Sequence, residues 1–253
     1  SSGSRILVMG CVKSKSFAHV EVLDDVEVLA DAVSWYDGDG TTFEYKLQDG
    51  QVMCSIDGNS AGQFAFKEID ETKVPADKRP ELAQVIKNAK WKQACVRAHN
   101  KFRKEHGAGD LTWSDECYLS AKRQADVCQA KDSMIYGNCK GPSGHHGQSI
   151  YWFFQPGSTA LGIVEYWYVE MLCPGYDFEK PPANMKSLAG VGHFTNVVWK
   201  GTKEVGMALS EDGKYCVANY YPAGNHWGKF SENVLPRSSP YTSSFPDSVI
   251  YGK

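Results

Sequence analysis

At 253 residues the chain has room for one large domain or two ordinary ones. Apolar residues make up 42% and charged residues 23%, enough for a packed core and too apolar for a disordered chain. The net charge of −3 offers no basic surplus for nucleic acid or an anionic membrane, and no apolar run approaches the roughly 18 residues of a membrane span. The chain opens without Met or a signal peptide. Ser1-Ser2-Gly3-Ser4 reads as a processed or appended end, so a missing signal says little.

Residues 1–75 read as a small β-rich module. Val20, Val22, Val26 and Val28 alternate with acidic residues, and Thr41 to Leu47 alternates again. Asp37-Gly38-Asp39-Gly40, Asp49-Gly50 and Asp57-Gly58 separate these runs, which predicts a β-meander. Asp37, Asp39 and Asp57 lack the spacing of a calcium loop, so turn chemistry accounts for them. Residues 76–90 read as a linker and a helix, Pro80 standing at the helix start and Leu82, Val85, Ile86 and Ala89 at helical spacing. A second helix is expected from Lys92 to Glu105, stopping at Gly107, with His99 near its apolar face as a structural histidine.

Ser114 or Asp115 can cap a third helix, whose Cys117, Ala121, Ala125 and Cys128 give a small-residue face for close packing. Residues 138–148 read as a Gly-rich loop, followed by an apolar run from Ile150 to Phe154. A fourth helix is expected from Ala160 to Leu172, with Leu161, Val164, Trp167, Tyr168 and Met171 inward. Phe194 to Val198 is β-branched and aromatic and reads as a strand, as does Tyr215 to Tyr220, which closes on the turn formers Pro222, Gly224 and Asn225. Residues 236–253 read as an extended Ser- and Pro-rich tail.

The eight cysteines are Cys11, Cys54, Cys95, Cys117, Cys128, Cys139, Cys173 and Cys216. They are even in number and scattered, with no C-x-x-C pair, which weighs against a zinc ribbon or a thioredoxin-type site. Disulfides in an oxidising compartment are the expectation, buried free thiols the competing reading. Cys173 with Cys216, and Cys11 with Cys54, are the expected pairs.

Three segments in order carry a resemblance: His99-Asn100-Lys101-Phe102-Arg103 with Leu111-Thr112-Trp113, Gly192-His193-Phe194-Thr195 leading to Trp199, and Asn219-Tyr220-Tyr221-Pro222-Ala223-Gly224-Asn225. They resemble the signature segments of the CAP superfamily of cysteine-rich secretory, antigen 5 and pathogenesis-related proteins. The resemblance covers about residues 90–235 and implies an α+β fold, an α-β-α sandwich over residues 91–235. It implies a cavity where two His and two Glu can hold a divalent metal. His193 and Glu170 match two of these. Gln148 replaces the second glutamate, and no histidine stands near Gly137, where the remaining ligand belongs. Two protein ligands fall short of the three or four that zinc requires. No cofactor is therefore expected, unless His145 or His146 folds inward to join His193 and Glu170.

The resemblance also implies binding of a sterol or fatty acid by the loop at 174–188, where Tyr176, Phe178, Met185 and Leu188 are candidate exposed contacts. A secreted, non-enzymatic binding protein is the resulting expectation. A protein-binding, defence or venom-type factor is the alternative, and a metal-dependent hydrolase is disfavoured by the broken ligand set.

Overall fold

The computed structural model describes residues 32–36, 42–48, 51–56, 59–64, 74–153, 157–241 and 243. The expected strand around Val20–Val28, and Cys11, lie outside them. The described residues fall into two compact units, one ending at Ala94 and one starting at Cys95.

In the first unit, β1 (Ala32–Tyr36), β2 (Thr42–Gln48), β3 (Gln51–Ile56) and β4 (Asn59–Phe64) pair antiparallel in chain order. Gln48 pairs with Gln51 and Ile56 with Asn59, each pair flanking an Asp-Gly dipeptide. Two-residue Asp-Gly connections suit the right-handed twist of a hairpin, so the meander follows from the turn chemistry. The register puts Val33, Tyr45 and Cys54 in one row across three strands. That row packs with Val74, Leu82, Val85 and Ile86 into the unit's core. Each Leu, Ile or Val so buried contributes roughly 1.5–3 kcal/mol. The segment 76–90, expected as a linker and helix, thus supplies core side chains. It is also no separate helix: α1 (Arg79–Glu105) runs unbroken for 27 residues, because nothing between Asn88 and Ala94 breaks or caps a helix.

The second unit is built on a four-stranded sheet in the order β5 (Thr112–Trp113), β9 (Glu204–Leu209), β10 (Tyr215–Tyr221), β8 (Gly147–Trp152). β5 lies parallel to β9, and the other pairs are antiparallel. Residues Tyr215 to Tyr220 are all buried, as a central strand covered on both faces requires. α2 (Asp115–Lys131) covers one face. Ser114 caps it by accepting from Cys117 N–H, and Cys117, Ala121, Ala125 and Cys128 have no exposed surface. The approach is so close that a Cβ on Gly206 of β9 would lie 1.9 Å from the Tyr118 backbone nitrogen. The end of α1, α3 (Ala160–Tyr168) and α5 (Gly192–Val198) lie on the other face.

Between these elements the expected loop at 138–148 holds a short hairpin, β6 (Lys140–Gly141) with β7 (Gly144–His145). β8 is an edge strand, yet two of its carbonyls are taken by side chains: Ile150 O accepts from Trp167 Nε1 at 3.2 Å and Gln148 O from Asn196 Nδ2 at 3.0 Å. Side chains therefore close an edge that backbone pairing leaves open. The fourth helix ends earlier than expected, at Tyr168, and passes into a 3₁₀ turn, Val169–Met171. Leu161 faces solvent at 40% exposure instead of packing inward. α4 (Met185–Leu188) and α6 (Phe230–Asn233) are single turns.

The Phe194–Val198 strand is corrected outright: these residues form α5. Its β-branched composition favours a strand, but Phe194, Thr195, Asn196, Val197 and Val198 are all buried, and tertiary packing overrides weak local propensity.

The tail is anchored over its described part. Arg237 Nη2 meets Glu105 Oε2 at 3.0 Å and Nη1 donates to the Tyr168 hydroxyl at 2.5 Å. Tyr241 donates to Glu165 Oε1 at 2.6 Å and sets its ring edge-on to Tyr168.

Candidate functional site

His193 is the second residue of α5, and the helix brings no side-chain cap of its own, since Val191 precedes it. Glu170, on the 3₁₀ turn, fills that role. Its Oε2 accepts from the backbone N–H of His193 at 2.9 Å and of Phe194 at 3.0 Å. A carboxylate at a helix start satisfies orphan donors and meets the positive end of the helix dipole. Its Oε1 lies 2.7 Å from His193 Nδ1. Nδ1 must then carry the proton, which leaves Nε2 an acceptor. Nε2 receives the Tyr136 hydroxyl at 2.6 Å, with the two rings nearly parallel. Tyr136 keeps 51% of its surface in solvent; what desolvation it has, then the charge of Glu170, raises its phenol, so it stays a donor.

Tyr136 is the residue that sequence reasoning missed. The resemblance places a histidine near Gly137; the side chain one position earlier reaches His193 instead. Gln148 lies beside it, with Oε1 accepting from Gly137 N–H at 3.1 Å and its amide nitrogen 3.1 Å from the Asn219 carboxamide. Tyr136, Glu170 and His193 are thus brought together, and Gln148 reaches the same segment.

His145 and His146 do not join them. His145 is exposed on β7. His146 is buried, with Nε2 3.3 Å from Glu116 Oε1, and burial pushes its pKa down against the pull of Glu116. Glu116 also accepts from Ser143 N–H and Oγ, each at 2.9 Å. The inward-folding set of histidines is corrected on this ground: the loop spends His146 on holding itself together. Among the described residues no three His, Cys, Asp or Glu are grouped to hold a metal ion.

The 174–188 loop also departs from expectation. Tyr176, expected exposed, is 7% exposed, its ring edge-on to Phe178 at 4.9 Å and to Phe194 at 5.3 Å. Phe178 is half-buried and also faces His106. Met185 is 72% exposed and Leu188 half-buried, on an α4 capped by Asn184 and Ser187. The Tyr176 hydroxyl is buried without a hydrogen-bond partner among the described residues, and burial pushes its pKa up to about 12.

The expected Cys173–Cys216 disulfide is corrected as well, and Cys11 of the other expected pair lies outside the described residues. Cys54, Cys95, Cys117, Cys128, Cys139, Cys173 and Cys216 are free thiols. Cys173 is exposed in its loop while Cys216 has no exposed surface. Cys216 neighbours Cys95 instead: burial first, then the nearness of Cys216, raises the Cys95 thiol. Burial lifts Cys139 to about 12 against the pull of a backbone hydrogen bond.

His99 is structural, as expected. Nδ1–H donates to Cys95 O at 2.7 Å and Nε2 accepts from the Tyr220 hydroxyl at 3.0 Å. Burial lowers its pKa to about 4.

An α-β-α sandwich with a histidine–glutamate pair at the start of a short helix defines the class. Residues 96–221 match the family described as cysteine-rich secretory protein family, CAP, and the chain belongs to it. The human Golgi-associated plant pathogenesis-related protein 1 is 33% identical over 56% of this chain and 90% of its own length. Protein PRY2 of Saccharomyces cerevisiae is 35% identical over 56% of this chain and 40% of its own. Secreted protein RBT4 of Candida albicans is 32% identical over 59% of this chain and 42% of its own. The chain thus spans less than half of either fungal relative. None of the three bears an enzyme's name.

Proposed function

We propose that this protein is an extracellular, non-catalytic binding scaffold that takes a sterol or fatty acid beside the 174–188 loop. The observation that carries this reading is the unpartnered Tyr176 hydroxyl. Leaving a buried hydroxyl unbonded costs about 1–3 kcal/mol, which a ligand hydroxyl or carboxylate would relieve. At about pKa 12 the phenol remains a donor at neutral pH. Met185 and Leu188 add apolar surface on the same loop for a hydrocarbon body. Secretion is supported by the naming of the RBT4 relative and not by the cysteines, which are free thiols.

Hydrolysis is not part of the proposal. His193 Nε2 is engaged by a tyrosine hydroxyl, and among the described residues no Ser or Cys stands in its place as a nucleophile. Two features favour a protein partner as the second reading. Leu161 and Tyr166 are exposed at 40% and 38%, and Tyr166 packs on Tyr151 at 4.4 Å.

Native mass spectrometry with cholesterol and palmitate tests the first reading. Tyr176→Phe keeps the ring packing and should weaken binding by roughly fivefold, the worth of about one hydrogen bond. Met185→Asp should weaken it as well. A parent protein that retains no lipid of either kind would sink the reading and leave the protein partner.

A further inference from the structure

The zinc site implied by the family needs an imidazole nitrogen and carboxylate oxygens with lone pairs free to reach a cation. The residues present do not fit that group. His193 Nδ1 is held by Glu170 and Nε2 by Tyr136. Glu170 Oε2 already accepts two backbone N–H groups. Gln148 brings no charge, and its oxygen accepts from Gly137.

We propose that Tyr136 does the mechanical work that a metal ion would do at this corner. An ion would tie the segment after α2 to the start of α5 by drawing ligands from both. Here the Tyr136 hydroxyl makes that tie directly to His193, and the Gln148 oxygen fixes the backbone next to Tyr136 at Gly137. Both groups are neutral, so the exchange removes the need for a cation and the mutual repulsion of two unscreened carboxylates. The clamp predicts a corner whose stability is indifferent to zinc and to chelators. Its reversal needs both changes together, a ligand and a charge.

The test is calorimetric titration with zinc of the parent and of Tyr136→His/Gln148→Glu, each with and without His193→Ala. The parent should show no binding that His193→Ala removes, and EDTA should leave its melting temperature unchanged. The double variant should bind roughly a hundredfold tighter or more, the scale on which ligand shells alter metal affinity, and His193→Ala should abolish the gain. Zinc binding by the parent through His193, or a folded double variant that gains nothing, overturns the proposal. Tyr136→Phe gives a readout that survives a misfolded double variant. Loss of the hydroxyl should move the His193 Nε2 nitrogen resonance, and an unmoved signal refutes the clamp. Lipid binding at 174–188 is measured separately, so neither result decides the other.

Discussion

His99 and Arg103 sit one turn apart on α1 with no exposed surface, whereas His193 and Glu170 keep 22% and 15% of their side chains in solvent. Both networks join a histidine to a tyrosine hydroxyl. In the interior, Arg103 donates to four backbone carbonyls, those of Gly109, Val197, Trp199 and Thr202, at 2.8–3.0 Å. No water can take over if one partner changes, so every member constrains the others. At the rim, water can satisfy whatever a substitution leaves unpaired. A side chain there can be exchanged without unfolding the sheet beneath. The two regions together show how an interior can hold a scaffold fixed while side chains at its rim are free to vary.

The comparison breaks most visibly at Arg103. Arg103→Met should cost about 3–5 kcal/mol in urea unfolding, because it strands four buried carbonyls at once. Burial lowers this guanidinium to about 10, so it is still charged at neutral pH. A cost under about 1 kcal/mol would mean the interior is as forgiving as the rim.

Acid is the next probe. His99 titrates near 4 in the fold and near 6.5 in the unfolded chain. Between those values the unfolded chain binds the extra proton, so stability falls as pH drops through that window and levels off below it. At 1.36 kcal/mol per unit the loss is about 3 kcal/mol, and His106, also lowered by burial, pulls the same way. His99→Gln, able to donate and accept in the same places, should flatten part of this slope.

At the rim the effect shrinks. Glu170→Ala removes the cap of α5, and about 1–2 kcal/mol should be lost on thermal unfolding. A loss as large as that of Arg103→Met would erase the distinction between the two regions.

Much of this fold is legible in the residues themselves. Asp49-Gly50 and Asp57-Gly58 announce their hairpins, Ser114 its helix, and the small face of α2 its close approach to the sheet. What escapes is what depends on distant chain. α5 looks like a strand because its start is capped from Glu170, more than twenty residues upstream. Tyr136 is invisible for the same reason: its bond to His193 spans 57 positions. Tyr176 looks like a loose loop aromatic until Phe194 closes over it.

The anchoring of Arg237 and Tyr241 has a practical consequence. A stretch that looks like an easy trimming point should resist limited proteolysis, because cleavage there must first peel Arg237 from Glu105 and Tyr168 and lift Tyr241 from Glu165. An affinity tag or fluorophore joined directly after Pro236 would undo that stitching, and one placed beyond residue 243 would spare it.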